Sequence, residues 1–537
     1  MTSARLLKTF AVASLAAYLL VLSVFKLSNN DIFIHLKLGE WIVAHGAVPA
    51  ADPFSFTAGA RPYVAHEWLA AVVFHLVHAA AGVNGLILFK ALVVLLTAGL
   101  LVRVAFRLGA TLPSILWSSI LALYVASARF LERPHLFSYL FVAAYLLCFF
   151  EYREGGRRRA WLYAIPLLHV LWVNLHGGHV VGLLLVVVFA IGEAAECWRG
   201  RATRDDARAV AALVPATIAA SLVNPYGWRL LVFPFELTGM RLYMENVLEW
   251  RPPFDPSYNT LTMFVFFTAH VVLVIGAMVL SGSDRIRRAL LAWLGVEVTL
   301  LTLCWFQPGR PLWTPDLLAA ALYALVLALL VLAAARARSV DVTLAGIVAL
   351  FVLLALRHNR GTADAALATW PILAGAASRA SKRPGSIVLA SLAVVAVTVS
   401  AGAFGYHYNF GRFVREGGLG VTRDVPTCAL DFVEREHLSG DAFVSYALAG
   451  PLIQRMSPGV KVNMDSRNEV YGEDLYREYL GALETPAAMR AYLSAHPVDL
   501  FFMGFEDREA AVFDDLIGSG GFVPVYYDDR VFVLLKR

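Results

Sequence analysis

Cysteine is scarce in this sequence, and its placement excludes two kinds of chemistry. Of the four, Cys148, Cys197 and Cys304 lie in or beside apolar runs and Cys428 stands alone near the C-terminus. Neither a disulfide framework nor zinc-ligand spacing is present. Charge is scarce too. Only 16% of the 537 residues are charged, against 59% hydrophobic, and the mean hydropathy is +0.65. That balance excludes a soluble globular protein of ordinary composition. The net charge of +5 argues little for a nucleic-acid partner, because the basic residues sit in short clusters and not on one broad face. No convincing small-residue cleavage site follows the apolar run at 9–25, so that run reads as a first membrane span and not as a removable leader.

What the sequence has in abundance is apolar runs of membrane-crossing length, about 17–25 residues for a hydrocarbon core of about 30 Å. They fall at 8–26, 84–102, 112–128, 135–151, 160–175, 178–196, 208–223, 260–281, 288–306, 316–334, 341–356, 363–378 and 385–404. The expectation is a polytopic α-helical membrane protein of about thirteen transmembrane helices, since an open strand would leave peptide groups unpaired in lipid. Arginine clusters orient it. Arg103/Arg107, Arg153/Arg157/Arg158/Arg159, Arg199/Arg201/Arg204/Arg208, Arg285/Arg287/Arg288, Arg336/Arg338 and Arg379/Lys382/Arg383 all fall on one side of the thirteen-span pattern. The opposite loops mix arginines with acids, as Arg129 with Glu132 and Arg251 with Glu249. This bias predicts a cytoplasmic N-terminus and an extracytoplasmic C-terminus.

Residues 1–404 then form the transmembrane domain, with two long outer loops at 27–83 and 224–259 that are rich in Trp, Tyr, Phe and Pro. Long loops of this kind tend to carry function. In the first, Asn30 is placed to cap a helix over 31–44, on which Asp31 and His35 share a face at i and i+4. A second amphipathic helix over 66–80 is too short to span and suits the membrane interface. Residues 405–537 alternate strand-like segments (442–446, 461–464, 500–503, 522–527, 531–535) with helical ones (430–437, 473–480, 486–496, 507–517), which predicts a soluble α/β domain. Asp528-Asp529 reads as the turn of a final hairpin.

The first loop carries the run Asn29-Asn30-Asp31-Ile32-Phe33-Ile34-His35, then Gly39-Glu40-Trp41, Gly46, Pro49, Asp52-Pro53-Phe54-Ser55-Phe56-Thr57 and His66-Glu67-Trp68-Leu69. This run resembles the first extracytoplasmic loop of bacterial GT-C class membrane glycosyltransferases. The tail segment Asp465-Ser466-Arg467-Asn468-Glu469-Val470-Tyr471 is similar to a recurring feature of the same proteins. The class includes protein O-mannosyltransferases, lipid A aminoarabinose transferases and oligosaccharyltransferases. The resemblance implies transfer of a sugar from a polyprenyl-phosphate donor to a glycan, lipid or protein acceptor, at the outer face of a bacterial cytoplasmic membrane. It also implies that an acid near the start of the first loop is the catalytic base or a metal ligand, and Asp31 matches that place. Many members carry paired acids or Asp-x-Asp there. Asp31 is flanked by Asn30, Ile32 and Phe33, which argues against a divalent-metal mechanism, and no cofactor is firmly implied.

Under that reading Asp31 takes the acceptor proton. His35 orients it or touches phosphate, and the next polar candidates are Asp52, His66 and Glu67. Arginines suit the phosphate because a planar fork binds its oxygens in pairs. Arg357 and Arg360 come first by topology, then Arg133 with His135. His176, in the tight Asn174-Leu175-His176-Gly177-Gly178 joint, faces the same side. Trp250 and Tyr243 are candidates for stacking on sugar, and Asp465 and Arg467 for reaching in from the tail. Each has a plainer alternative: helix-dipole partner, Asx turn, interfacial anchor or structural ion pair. A metal held by His35, His66 and Glu67 requires that they converge. Two other functional classes fit the composition, a transporter, with Glu297 as its mid-span acid, and a catalytically silent assembly or lipid-binding protein.

Overall fold

The computed structural model describes residues 3–59, 61–253, 261–280, 341–381, 385–403, 415–505 and 509–537. Apolar runs become helices because a helix satisfies its peptide groups internally. In chain order the helices of the first part are α1 (Ser3–Ser23), α2 (Asp31–His45), α3 (Trp68–Arg107), α4 (Leu112–Ser127), α5 (His135–Glu154), α6 (Ala160–Leu175) and α7 (His179–Trp198). There follow α8 (Arg204–Ala211), α9 (Leu213–Ala220), α10 (Arg229–Gly239), α11 (Arg241–Asn246), α12 (Leu261–Leu280), α13 (Val342–Arg357), α14 (Gly361–Ala380) and α15 (Ile387–Ala403). Among the described residues, α1, α3, α5 and α7 are long and apolar enough to cross a membrane, and α4, α6 and α13 are shorter apolar helices.

One expected helix pair meets at a kink, and one expected span takes a different form. The helices expected at 66–80 and 84–102 are both present, as the two arms of α3 on either side of a kink where Gly82 takes the non-helical φ 61°, ψ −159°. Glycine admits this positive-φ conformation at little steric cost, so the chain changes direction between the two arms. The expected span at 208–223 is split into α8 and α9 at Ala212. Pro215, in the first turn of α9, has no N–H to continue the ladder. The expected spans at 288–306 and 316–334, and Glu297, lie outside the described residues. Inside the bundle the fully buried Lys90 pairs with Glu132 at 2.6 Å and lies 3.3 Å from the centre of the Phe25 ring.

The tail forms a five-stranded mixed sheet of β1 (Gly440–Val444), β2 (Val460–Val462), β3 (Leu500–Gly504), β4 (Phe522–Tyr527) and β5 (Val531–Lys536), in the order β2-β1-β3-β5-β4. β1 runs parallel to β2 and β3, while β5 is antiparallel to β3 and β4, so the last two strands are the expected hairpin. Leu500 faces Leu535 and Phe502 faces Val533 across the β3–β5 register. Helices α16 (Thr427–Arg435), α17 (Ala449–Met456), α18 (Asn468–Ala482), α19 (Pro486–Ala495) and α20 (Ala510–Gly518) complete the tail. α17 falls where no helix was expected. Gly450 and Pro451 read as breakers but sit in its first turn, where proline is tolerated.

The layer that positions the site is α2. Its Ile32, Phe33 and Leu36 belong to the core of the helical bundle, and its Ile34, Leu38 and Ile42 to the core of the tail. Both faces of α2 are therefore buried, and the tail rests on the bundle through it. Residues 54–56 add to the edge of the sheet beside β2, with Val462 N–H donating to Phe54 O and Phe56 N–H to Val462 O, each at 3.1 Å. That pairing closes an edge that would otherwise invite another strand. From the second long loop, Tyr243 stacks on Tyr476 at 4.3 Å and donates to Gly472 O. Both long loops and the tail thus meet at one end of the bundle.

The closeness of the contact has a testable consequence. A Cβ on Gly450 would stand 2.3 Å from the carbonyl oxygen of Asn30, backbone against backbone. Gly450→Ala should cost about 1–3 kcal/mol, the usual range for overpacking, and loosen the tail from α2. Thermal unfolding and limited proteolysis of the purified protein would show it; an unchanged melting temperature and cleavage pattern would mean that α17 does not bear on α2.

Candidate functional site

Asp31 opens α2, but Asn30 does not cap it. Asn30 itself has helical φ and ψ, so its side chain cannot reach back, and its amide donates to Asp424 O at 3.2 Å instead. The Asp31 N–H goes to Asn29 Oδ1 at 3.3 Å. This leaves the Asp31 carboxylate directed across the layer. One oxygen pairs with the Arg133 guanidinium, and the other accepts from Ser466 Oγ of the tail at 2.7 Å.

Arg133 is the hinge of a larger charge cluster. Its Nη1 donates to both oxygens of Glu249 at 2.9 Å and its Nη2 to Asn29 Oδ1 at 2.9 Å. Glu249, from the second long loop, also holds Arg129 at 3.0 Å and Arg360 at 2.9 Å. The Arg360 guanidinium lies 4.0 Å over the ring of Trp250, a cation–π contact. Three guanidiniums thus gather about two carboxylates, which leaves the cluster with surplus positive charge. Burial would raise the Glu249 pKa, but Arg129, Arg133 and Arg360 outweigh it and hold the carboxyl well below its ordinary value. Burial acts against the charge on Arg133 as well, yet Asp31 and Glu249 hold its pKa above the usual one.

A second set of residues converges beside the first. Glu67 precedes α3 and faces three imidazoles: His35 Nε2 at 3.7 Å, His66 Nε2 at 3.6 Å and His176 Nε2 at 3.4 Å. His66 Nδ1 in turn faces Glu469 of α18 at 3.6 Å. Burial pushes His35 down to about 4 and His176 well below the usual imidazole value. It raises Glu67 and brings Glu469 up to about 7. His35, His66 and Glu67 do come together. Even so, among the described residues no group of three His, Cys, Asp or Glu side chains has metal-holding geometry.

A third set ties the tail to the first loop. Arg467 Nη1 pairs with Asp52 at 2.8 Å, while its Nε and Nη2 reach Asp465 at 2.9 and 2.5 Å. Tyr471 O–H donates to Asp465 at 2.8 Å, and Asp52 also accepts from Ser55 N–H at 2.9 Å, an Asx-type turn. Asp52, Asp465 and Arg467 therefore have each other as partners in this structure.

The structure thus gathers Asp31, His35, His66, Glu67, Arg133, His176 and Arg360 at one end of the bundle. Arg357 stands exposed at the end of α13, outside the charge cluster. His135 Nε2 donates to Arg129 O at 2.7 Å and so supports the backbone of an arginine of the cluster. The ring face of Tyr243 is taken by Tyr476. Sequence reasoning passed over Arg129, Glu249, Ser466 and Glu469. A signal for Glu249 was available, since it adjoins Trp250 in a long aromatic loop, and Ser466 and Glu469 lie inside the tail motif.

No protein-family model and no curated protein matches the chain. Solved structures do resemble it. The Archaeoglobus fulgidus oligosaccharyltransferase in its apo form is 12% identical, with 93% of this chain and 69% of that chain covered and a TM-score of 0.49. The mycobacterial arabinofuranosyltransferase AftD is 13% identical, with 100% of this chain and 42% of that one covered and a TM-score of 0.49. ArnT from Cupriavidus metallidurans bound to undecaprenyl phosphate is 13% identical, with 99% and 98% covered and a TM-score of 0.42. These structural neighbours are GT-C glycosyltransferases, the class that the first-loop motif resembles.

Proposed function

We propose that this protein is an inverting glycosyltransferase, which moves a sugar from a polyprenyl-phosphate donor to an acceptor at the extracytoplasmic face of a bacterial cytoplasmic membrane. In this reading residues 1–404 are the membrane-embedded body, and 405–537 are an extracytoplasmic α/β domain. The observation that carries it is the pairing of Asp31 with Arg133 in a cluster of three guanidiniums and two carboxylates. A carboxylate beside surplus guanidinium charge is the pair of tools that displacement at a phosphate-bearing carbon needs.

The chemistry follows from the charges. An arriving donor phosphate competes for the Arg133 fork, with Arg129 and Arg360 alongside, and frees the Asp31 carboxylate. Asp31 takes the proton from the acceptor hydroxyl, whose oxygen bonds to the anomeric carbon on the face opposite the phosphate. The bond from that carbon to the phosphate oxygen breaks with its electron pair, and prenyl phosphate leaves against the arginines. Ser466 holds Asp31 from the tail side, so the catalytic carboxylate is set by both parts of the chain.

Mass spectrometry of lipids that co-purify with the protein tests the donor class. A polyprenyl-phosphate sugar is the expected finding, and incubation with acceptor-bearing envelope extract should convert it to free polyprenyl phosphate with inverted product linkage. Absence of any phosphoprenyl lipid across preparations, together with solute flux in reconstituted vesicles, would favour a transporter instead.

A further inference from the structure

We propose that Lys90, Glu132 and Asn29 are positioning residues, which together aim the Arg133 guanidinium at the donor phosphate; the proposal rests on the reading of Arg133 as a phosphate holder. Arg133 sits in the joint between α4 and α5, residues 128–134. The backbone bonds of that joint reach back only two or three positions: Phe130 N–H to Ser127 O, Leu131 N–H to Arg129 O and Arg133 N–H to Leu131 O. Turns so short do not by themselves settle where a side chain points. A loop that carries binding residues needs a rigid scaffold beneath it.

Lys90 supplies that scaffold. It lies on the arm of α3 beyond Gly82, with its side chain 0% exposed, and Glu132, 1% exposed, meets it at 2.6 Å. Its Nζ also stands 3.3 Å from the centre of the Phe25 ring. Among the described residues neither charge has another polar partner. An ion pair this dry adds little stability over well-packed neutral side chains of the same size, and ionisable groups inside a membrane bundle are functional suspects for that reason. What the pair does settle is direction. Glu132 turns into the bundle toward Lys90, and Arg133, the next residue, turns toward Asp31 and Glu249.

Asn29 couples this end of the joint to α2. Its Nδ2 donates to Glu132 O at 3.4 Å, and its Oδ1 accepts from Arg133 Nη2 at 2.9 Å and from Asp31 N–H at 3.3 Å. One buried amide therefore touches the backbone of Glu132, the guanidinium of Arg133 and the first N–H of α2. The other end of the joint is held separately. Arg415 donates to Ser127 O at 2.6 Å and to Ala128 O at 2.5 Å, and Phe130 is buried in the core of the bundle. Arg129, at that end, and Arg133 converge on Glu249 at 3.0 and 2.9 Å. Loss of the Glu132 anchor would therefore shift Arg133 away from Arg129 and open the pair of guanidiniums that a phosphate would meet.

The test uses full-length protein in liposomes, with the polyprenyl-phosphate sugar fraction extracted from host membranes as donor and envelope extract as acceptor. Lys90→Met combined with Glu132→Gln removes both charges and strands neither, so the double variant should melt close to wild type. Its donor KM should rise by about 10- to 100-fold, the scale of a binding group displaced by about an ångström. Its kcat should change by less than about twofold, the mark of lost uniform binding. A folded double variant with wild-type KM overturns the proposal, and so does one that loses kcat at unchanged KM. Should the double variant fail to fold, Asn29→Ala decides, since it leaves the ion pair in place: donor KM should rise by about tenfold, and an unchanged KM overturns the proposal. Arg133→Ala checks the reading beneath. If its donor KM stays at the wild-type value, Arg133 does not hold phosphate and both ideas fall; if its KM rises while that of the double variant does not, only the positioning role falls.

Discussion

Asp31→Asn should lose sugar transfer by about 10²- to 10⁴-fold, the range that a positioned acid–base group contributes, while the protein folds as before. The asparagine keeps the size of the side chain, its amide oxygen still accepts from Ser466 Oγ, and both nonpolar faces of α2 are untouched. What disappears is the negative charge. Arg133 then retains only Glu249 as a carboxylate partner, and Glu249 already serves Arg129 and Arg360. The released guanidinium is more available to phosphate, so donor affinity should hold or rise as kcat falls. That split is the diagnostic feature. Arg133→Ala should do the opposite and weaken donor binding first. Retained turnover in Asp31→Asn sinks the base assignment; loss of donor binding instead of kcat would move Asp31 from chemistry to positioning. Substrate binding by scintillation or fluorescence, run beside turnover, separates these outcomes.

The sequence made the helices legible because lipid leaves the backbone few choices. Most described apolar runs became helices within a few residues of their expected ends. Gly82 marks the expected break between the two arms of α3, and the departure at 208–223 has a local cause, since Pro215 divides that expected span. The tail sheet was legible through its alternation, with β4 and β5 on the segments marked for them. α17 was hidden by Gly450 and Pro451. The site was legible only where a local motif carried it. Asp31, His35 and Glu67 come from one loop, and their helical spacing and charge are visible in sequence. The partners that give them chemistry come from far along the chain: Ser466 lies 435 positions from Asp31, and Glu249 lies 116 from Arg133. No periodicity records such a meeting, because it depends on how α2 packs between two cores. The same packing explains why Asn30, a good cap by type, is spent elsewhere.

Arg467→Met is expected to have the largest effect on stability. Arg467 and Asp465 belong to the tail, Asp52 to the first loop, and the guanidinium bonds to both acids in a nearly dry setting: side-chain exposure is 6% for Arg467 and 0% for both acids. Its guanidinium also lies about equally far from the Phe54 and Tyr63 rings, at 5.0 and 5.1 Å. Methionine fills much of the stem's volume but leaves two buried carboxylates facing each other. Removing one partner of a buried pair typically costs about 3–5 kcal/mol, most of it from the charge left behind. Lysine should rescue poorly, because one ammonium cannot span Asp52 and both oxygens of Asp465 at once. The discriminating variant is the triple change Asp52→Asn, Asp465→Asn, Arg467→Met, which removes the charges together and should recover much of the lost melting temperature. If Arg467→Met melts like wild type, the tie between loop and tail is not electrostatic. If instead it melts like wild type but loses sugar transfer, Arg467 belongs to the substrate after all.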